Sequence, residues 1–195
     1  MSYINIFTDG AVPNNQFQGN RKGGIGVFFD PQGKAVASFN RVKRLMIPKE
    51  LGNAQENDPR NLSYCIIETK DNKVTNQVCE LLACISALET VMTTQIIGKN
   101  EIIIYTDSMY VINSITLWAK NWRKNNWRRL DNKPIQNLEL IKKLYYLSKN
   151  LKVGYKHVKA HTSPPDKESD EYFEWYGNYM ADKLAVQGSL KNNYP

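Results

Sequence analysis

The sequence predicts an α/β fold in which a mixed sheet carries helices on both faces. Two compact apolar runs, Tyr3-Ile-Asn-Ile-Phe-Thr8 and Glu101-Ile-Ile-Ile-Tyr-Thr106, read as buried strands, and each stops at an aspartate. Between and after them, apolar residues recur at helical spacing. No internal repeat, low-complexity tract or run of membrane-spanning length interrupts the pattern.

Residues 3–8 alternate as a strand and end at Thr8-Asp9-Gly10. Gly23–Phe29 and Lys34–Asn40 read as two further strands joined by the turn Asp30-Pro-Gln-Gly33, which gives an antiparallel meander. Residues 43–63 hold Pro48, Gly52, Asn53, Asp58 and Pro59 and read as an inserted loop, after which Tyr64–Thr69 resumes an extended run. Thr75 is an N-cap for a helix over 76–93, with Leu81, Cys84, Ile85, Leu88, Val91 and Met92 on its apolar stripe. The strand ending at Thr106 leads into a helix from Ser108 to about Trp118. Leu138, Ile141, Leu144 and Tyr145 predict a helix over 135–149; Leu151–Val158 is a strand, and a last helix covers 175–187.

A chain of 195 residues is long enough for one domain with a substantial core, and its 42% hydrophobic content excludes a disordered protein. The net charge of +7 favours a polyanionic partner, and nucleic acid is the commonest. Cys65, Cys79 and Cys84 are odd in number and lack CxxC spacing, which argues against a disulfide framework or a zinc site. With no signal peptide visible, an intracellular protein, cytoplasmic or nuclear, is expected, without membrane association and monomeric.

Four acids stand in distinctive settings: Asp9 and Asp107 at strand ends, Glu80 in Cys79-Glu-Leu-Leu-Ala-Cys84, and Asp182 in Met180-Ala-Asp-Lys-Leu-Ala185. Each alone has an ordinary reading, as a turn, a helix cap or a surface helix acid. Asp9 and Asp107, however, share the frame aromatic-Thr-Asp. In neighbouring parallel strands they would meet at the edge where α/β folds place their sites. Asn178 precedes Asp182 by four residues, on the same helix face.

In this order the four acids, together with Phe7-Thr-Asp-Gly10, Thr75-Asn-Gln-x-x-Glu80-Leu-x-Ala83, Thr106-Asp-Ser-x-Tyr-Val111, His157-Val-Lys-Ala-His161 and Asn178-x-x-Ala-Asp182-x-Leu-Ala185, resemble type 1 ribonuclease H. That resemblance implies a five-stranded mixed sheet of order 3-2-1-4-5 flanked by helices. It implies hydrolysis of the RNA strand of RNA–DNA hybrids, leaving 5′-phosphate and 3′-hydroxyl ends. Asp9, Glu80, Asp107 and Asp182 would be the metal ligands, with Asp9 shared between two Mg²⁺ ions about 4 Å apart, and with Mn²⁺ able to substitute. His161 takes the family position of a proton handler or product-release residue, whereas His157, inside the strand, is read as structural.

Between Trp118 and Lys133 six basic side chains face Asp131 alone, and three of the four tryptophans lie there. Cations supply phosphate attraction and aromatics supply stacking. The segment resembles the basic protrusion with which the family holds the DNA strand. Trp118, Asn121, Trp122, Lys124 and Trp127 are the contacts expected there, Trp118 and Trp122 also serving as packing residues. By the same resemblance Lys73, Thr75 and Asn137 would grip a DNA phosphate, and Asn15, Asn76, Gln77 and Asn178 would touch the hybrid, including RNA 2′-hydroxyls.

Departures from the family pattern are a longer loop after Asp9, an insertion near 43–70, and a second at 162–177 that carries Pro164-Pro165 and several acids and reads as a solvated loop or a lid. Two other functions fit parts of the pattern: a catalytically silent nucleic-acid-binding domain, and an integrase- or resolvase-type DNA nuclease. The complete set of acids opposes the first, and the basic arm the second.

Overall fold

The computed structural model describes residues 3–13, 21–29, 58–70, 73–94, 101–169 and 171–191. Five strands form one sheet in the order β3-β2-β1-β4-β5. They are β1 (Tyr3–Ala11), β2 (Lys22–Phe29), β3 (Leu62–Ile67), β4 (Glu101–Thr106) and β5 (Val153–His157). β1 pairs antiparallel with β2 and parallel with β4; β2 pairs antiparallel with β3, and β4 parallel with β5. The expected mixed sheet and its strand order are therefore present.

One expectation changes in the meander. The strand beside β2 is Leu62–Ile67, with Gly24 opposite Cys65. The stretch 43–70 read as an insertion therefore contributes a sheet strand at its C-terminal end. Asn61 prepares the entry to it by accepting the Phe29 amide proton through its side-chain oxygen at 2.8 Å. The run 34–40 and the turn at 30–33 lie outside the described residues.

The helix α1 (Asn76–Thr93) begins where the sequence places it: Thr75 is its N-cap and accepts the Val78 amide at 3.2 Å. Its buried side, Cys79, Leu81, Cys84, Ile85, Leu88 and Val91, covers Ile4, Ile6, Ile25, Val27 and Ile104. A helical run follows β4, as α2 (Met109–Asn113), one π-helical turn (Ser114–Trp118) and α3 (Ala119–Lys124). It extends beyond the predicted end at Trp118 because Ala119 is buried and continues the packing into the arm. α4 (Leu138–Leu151) packs on α1.

On the other face lies α5 (Glu171–Leu190), longer than the predicted 175–187. Its first turns are anchored: Phe173 meets Phe7 at 5.3 Å and Tyr105 at 5.9 Å, and Tyr176 meets Phe28 at 6.0 Å. Residues 171–174, part of the stretch expected as a solvated loop or lid, are thus helix seated on the sheet. The cause is burial of aromatic surface, which a count of acidic residues does not register. Further along, α5 lies with its backbone directly on β2. A methyl group at Gly26 would overlap the Ala181 carbonyl, and one at Gly24 the Ala185 carbonyl.

Candidate active site

Strand register brings the first two acids together. β1 and β4 run parallel with Phe7 opposite Tyr105; two residues beyond that pair each chain carries an acid, Asp9 and Asp107, and the Asp107 charge acts on Asp9. Side chains alternate along β1. Thr8 points toward α1, where its hydroxyl meets the Cys84 thiol at 3.2 Å, and Phe7 belongs to the cluster under α5. Asp9 shares the parity of Phe7 and stands at the end of that row.

The other two acids are delivered by close backbone approach. Gly10 lies against the Cys79–Glu80 peptide so tightly that a Cβ there would overlap it. This absence of a side chain presses the start of α1, and with it Glu80, onto the β1 end. Gly26, the register partner of Asp9, touches Ala181, which fixes Asp182 one residue on. Glycine on two strands thus sets the positions of carboxylates on two helices.

Electrostatics agree with this convergence. Asp9 is only 8% exposed, and its carboxyl is pushed up to about 8. Burial is the largest cause and the Asp107 charge the next, with Asp182 and Glu80 adding to it. The Gly10 amide opposes them by donating to Asp9 Oδ1 at 2.8 Å. Burial also raises Asp107, as does Asp182, while His161 and His157 hold it down. Glu80 is raised by burial and by Asp107 and lowered by the Ser108 hydroxyl, which donates to its Oε2. The charges of Asp107, Asp182 and Glu80 all act on Asp9. Among the described residues no three His, Cys, Asp or Glu side chains are drawn into a ready-made metal cage. Like charges gathered in this way repel, and only countercharge draws them inward. An all-oxygen donor set with unrelieved negative charge suits hard divalent cations.

Ser108, to which the sequence alone assigns no role, lies against the acids. It caps α2 by accepting the Val111 amide at 3.3 Å, and it fixes the Glu80 carboxylate. The signal was the Thr-Asp-Ser frame itself, since a serine after a strand end caps the next helix. His157 lies in the strand, as expected. It is exposed at the end of β5, opposite Thr106, and its charge acts on Asp107. His161 is exposed on the following loop with a left-handed backbone, φ 48°. Asn178 is buried one turn before Asp182, and its Oδ1 has no hydrogen-bond partner among the described residues.

Lys73, Thr75, Asn76 and Gln77 gather at the N-terminus of α1, with Lys73 and Asn76 exposed. Asn15 lies outside the described residues. In the arm, Trp118 is 38% exposed and stacks obliquely on Trp122 at 5.8 Å and edge-on to Tyr110 at 6.2 Å. Asn137 donates to the Tyr110 hydroxyl at 3.1 Å, which ties the start of α4 to this aromatic face. Asn121 and Lys124 are exposed. Trp127 packs on Tyr145 and Tyr146, at 5.7 and 6.0 Å, and so anchors the arm to α4.

Comparison with known proteins adds an independent line. The sequence model of the RNase H family matches residues 1–190. The ribonuclease H of Afipia carboxidovorans is 36% identical over 190 residues, which cover 97% of this chain and 95% of that protein. The ribonuclease H of Rickettsia bellii is 32% identical over 189 residues, 96% of this chain and 90% of that one. Against the Rickettsia typhi ribonuclease H, 38% identical over 114 residues, the match spans 58% of this chain and 64% of the relative. Among solved structures, an RNase H1 described as type 1 with the type 2 active-site motif superposes with a TM-score of 0.61 at 19% identity, covering 97% of this chain and 72% of that one. The foamy viral protease–reverse transcriptase, solved with double-stranded DNA, gives 0.62 at 19% identity, covering 97% and 95%. At these identities the structural likeness speaks for the fold alone, whereas the sequence matches reach across the whole sheet and all four acids: the chain belongs to the RNase H family.

Proposed function

We propose that this chain, acting as a single domain and a monomer, is an endonuclease that hydrolyses the RNA strand of RNA–DNA hybrids. The observation that carries the reading is the convergence of Asp107, Asp182 and Glu80 on the buried Asp9 at one end of the parallel strand pair. Unscreened carboxylates are costly to hold together, and two divalent cations, Mg²⁺ with Mn²⁺ able to substitute, relieve that cost. When bound, such ions supply the Lewis-acid charge that lowers the pKa of water and steadies a leaving oxygen.

The protein's own groups do the rest. Asp9, on which the charges of the other three act, would hold the ions together with Asp107, Glu80 and Asp182. Ser108 keeps Glu80 oriented. A water attacks the phosphorus in line with the P–O3′ bond, which breaks to leave a 3′-hydroxyl and a 5′-phosphate. His161, exposed beside Asp107, handles the proton delivered to or taken from the reacting oxygens.

Recognition divides between two surfaces. Lys73, Thr75, Asn76 and Gln77 at the start of α1 are suited to phosphate and 2′-hydroxyl groups, because a helix N-terminus presents unpaired amides. Trp118, Trp122, Asn121 and Lys124 offer stacking and charge to the DNA strand, with Trp127 holding the arm in place.

The test is a labelled RNA–DNA hybrid, an RNA duplex and a DNA duplex, each with Mg²⁺ and with EDTA. Cleavage of the hybrid's RNA alone, lost in EDTA and in Asp9→Asn, is expected. Activity that survives Asp9→Asn rejects the mechanism, and cleavage of the DNA duplex rejects the substrate assignment.

A further inference from the structure

The chain that leaves β5 carries His161 and is held on either side of it. Before it, Val158 is buried and donates its amide to the Thr106 carbonyl at 3.1 Å, next to Asp107. After it, the Thr162 carbonyl accepts the indole N–H of Trp175 at 2.9 Å. Lys159, Ala160 and His161 lie exposed between these two fixed points. So short a span, tied at both ends, has few conformations open to it.

The backbone of His161 shows what the second tie does. Its φ of 48° is left-handed, a conformation that residues with a side chain adopt only at a cost. Such a residue keeps it where its surroundings impose it. The bond to the carbonyl of the very next residue is an imposition of that kind. A further link lies earlier in the chain: the Lys156 ammonium donates to Glu174, the residue before Trp175, and stands 5.7 Å over the Tyr105 ring. Consecutive residues of α5 thus hold the strand that enters the loop and the chain just beyond His161. The surface ion pair is the weaker hold, and it is also the more distant from His161.

Trp175 is oriented for this contact by its own helix. Its ring stacks on Tyr179 at 5.4 Å, with the planes 10° apart, and leans on Tyr172 at 5.6 Å. Residues three and four apart share a helix face, so the three rings form one row. Seating α5 on the sheet falls to Phe173 and Tyr176, which meet Phe7, Tyr105 and Phe28. Among the described residues, the contact that takes Trp175 off its helix is the one to Thr162. A tryptophan used only as packing would be expected against the sheet, as Phe173 is. The same helix carries Asp182 three residues beyond Tyr179, so one rigid element positions both an acid of the site and the loop of His161.

We propose that Trp175 is a positioning residue of the site: its indole N–H holds the Thr162 carbonyl and thereby keeps His161 beside Asp107. This rests on the nuclease reading above, in which His161 handles the proton. The experiment compares the full chain with Trp175→Phe, His161→Ala and the double variant. Phenylalanine keeps a ring beside Tyr172 and Tyr179 and removes the N–H donor. In Trp175→Phe, kcat for hybrid cleavage is expected to fall about two- to tenfold, the range of one net hydrogen bond, with KM unchanged. In the His161→Ala background the same substitution is expected to leave kcat where it was, because the two residues act as one unit. ¹⁵N relaxation reads the positioning without any activity. Order parameters at Ala160, His161 and Thr162 are expected near about 0.85 in the unmodified chain and below about 0.6 in Trp175→Phe. Hydrogen exchange of the indole proton needs no variant at all, and slower exchange at Trp175 than at a free indole is expected. An equal loss of kcat with and without His161, order parameters that do not change in Trp175→Phe, or an indole proton of Trp175 that exchanges as a free one does would each overturn the proposal. A chain that cleaves no hybrid, yet loses order at His161 in Trp175→Phe, rejects the nuclease reading and supports the clamp, so the two failures are distinguishable.

Discussion

Asp9 concentrates the chemistry of the molecule in one side chain. Its carboxyl is buried, surrounded by other acids and pushed up to about 8, against one compensating amide from Gly10. An acid raised above its unfolded value holds its proton more tightly when folded. Its stabilising contribution is therefore complete below the unfolded value near 3.8 and is lost as pH rises through about 8. Metal-free protein should lose thermal stability between about pH 4 and pH 8, by a few degrees more than Asp9→Asn, which cannot ionise there. Added Mg²⁺ should restore more stability at the upper end of that window than at the lower. Calorimetry in EDTA and in Mg²⁺ reads both effects, and identical pH profiles for the two proteins would remove Asp9 from the centre of the cluster.

Among the elements, the most consequential contact is α5 on β2. Gly26 and Gly24 let the helix backbone rest on the strand, and that contact sets the position of Asp182. Gly26→Ala must displace the Ala181 carbonyl. It should cost about 1–3 kcal/mol of stability and weaken divalent-ion binding at the same time, as unfolding and ion titrations would show. A stability loss with unchanged ion affinity would separate the helix position from the site. This element also marks where sequence reading stopped. Asp182 and Asn178 were placed on one helix face because spacing of four is a local property. The acids Glu171 and Glu174 make the first turn of α5 look like a solvated loop or lid in the sequence. Phe173 and Tyr176 between them were the contrary signal, and their partners Phe7 and Phe28 are remote in sequence. The same limit applies to β3. That Leu62–Ile67 joins the sheet depends on its pairing with β2, which is remote in sequence. α1 was legible in full because its cap, stripe and length are all local. Ser108 was visible as a cap, but its bond to Glu80 spans 28 residues and no local pattern reports it.

Across the whole molecule, charge is sorted. The chain carries a net +7, yet four of its 19 acids gather at one end of the parallel strand pair, while six basic side chains lie on or beside the arm. The arm is fastened by Trp127 on Tyr145 and Tyr146 and by the Tyr110–Asn137 hydrogen bond, which leaves Asn121 and Lys124 free to meet a strand. Hybrid binding should weaken steeply with salt. Lys124→Gln should reduce the slope of log affinity against log salt by about one, leaving hydrolysis of bound hybrid intact. An unchanged slope, read by anisotropy in EDTA, would take Lys124 off the phosphate path.

The central claim is that residues far apart in the chain form one oxygen-lined site for a pair of ions. Anomalous diffraction from crystals of the protein grown with Mn²⁺ and an uncleaved hybrid tests it most directly. Two peaks bridged by Asp9, within coordination distance of Asp107, Glu80 and Asp182, are predicted. Manganese bound elsewhere, with Asp182 remote from every peak, would contradict the account.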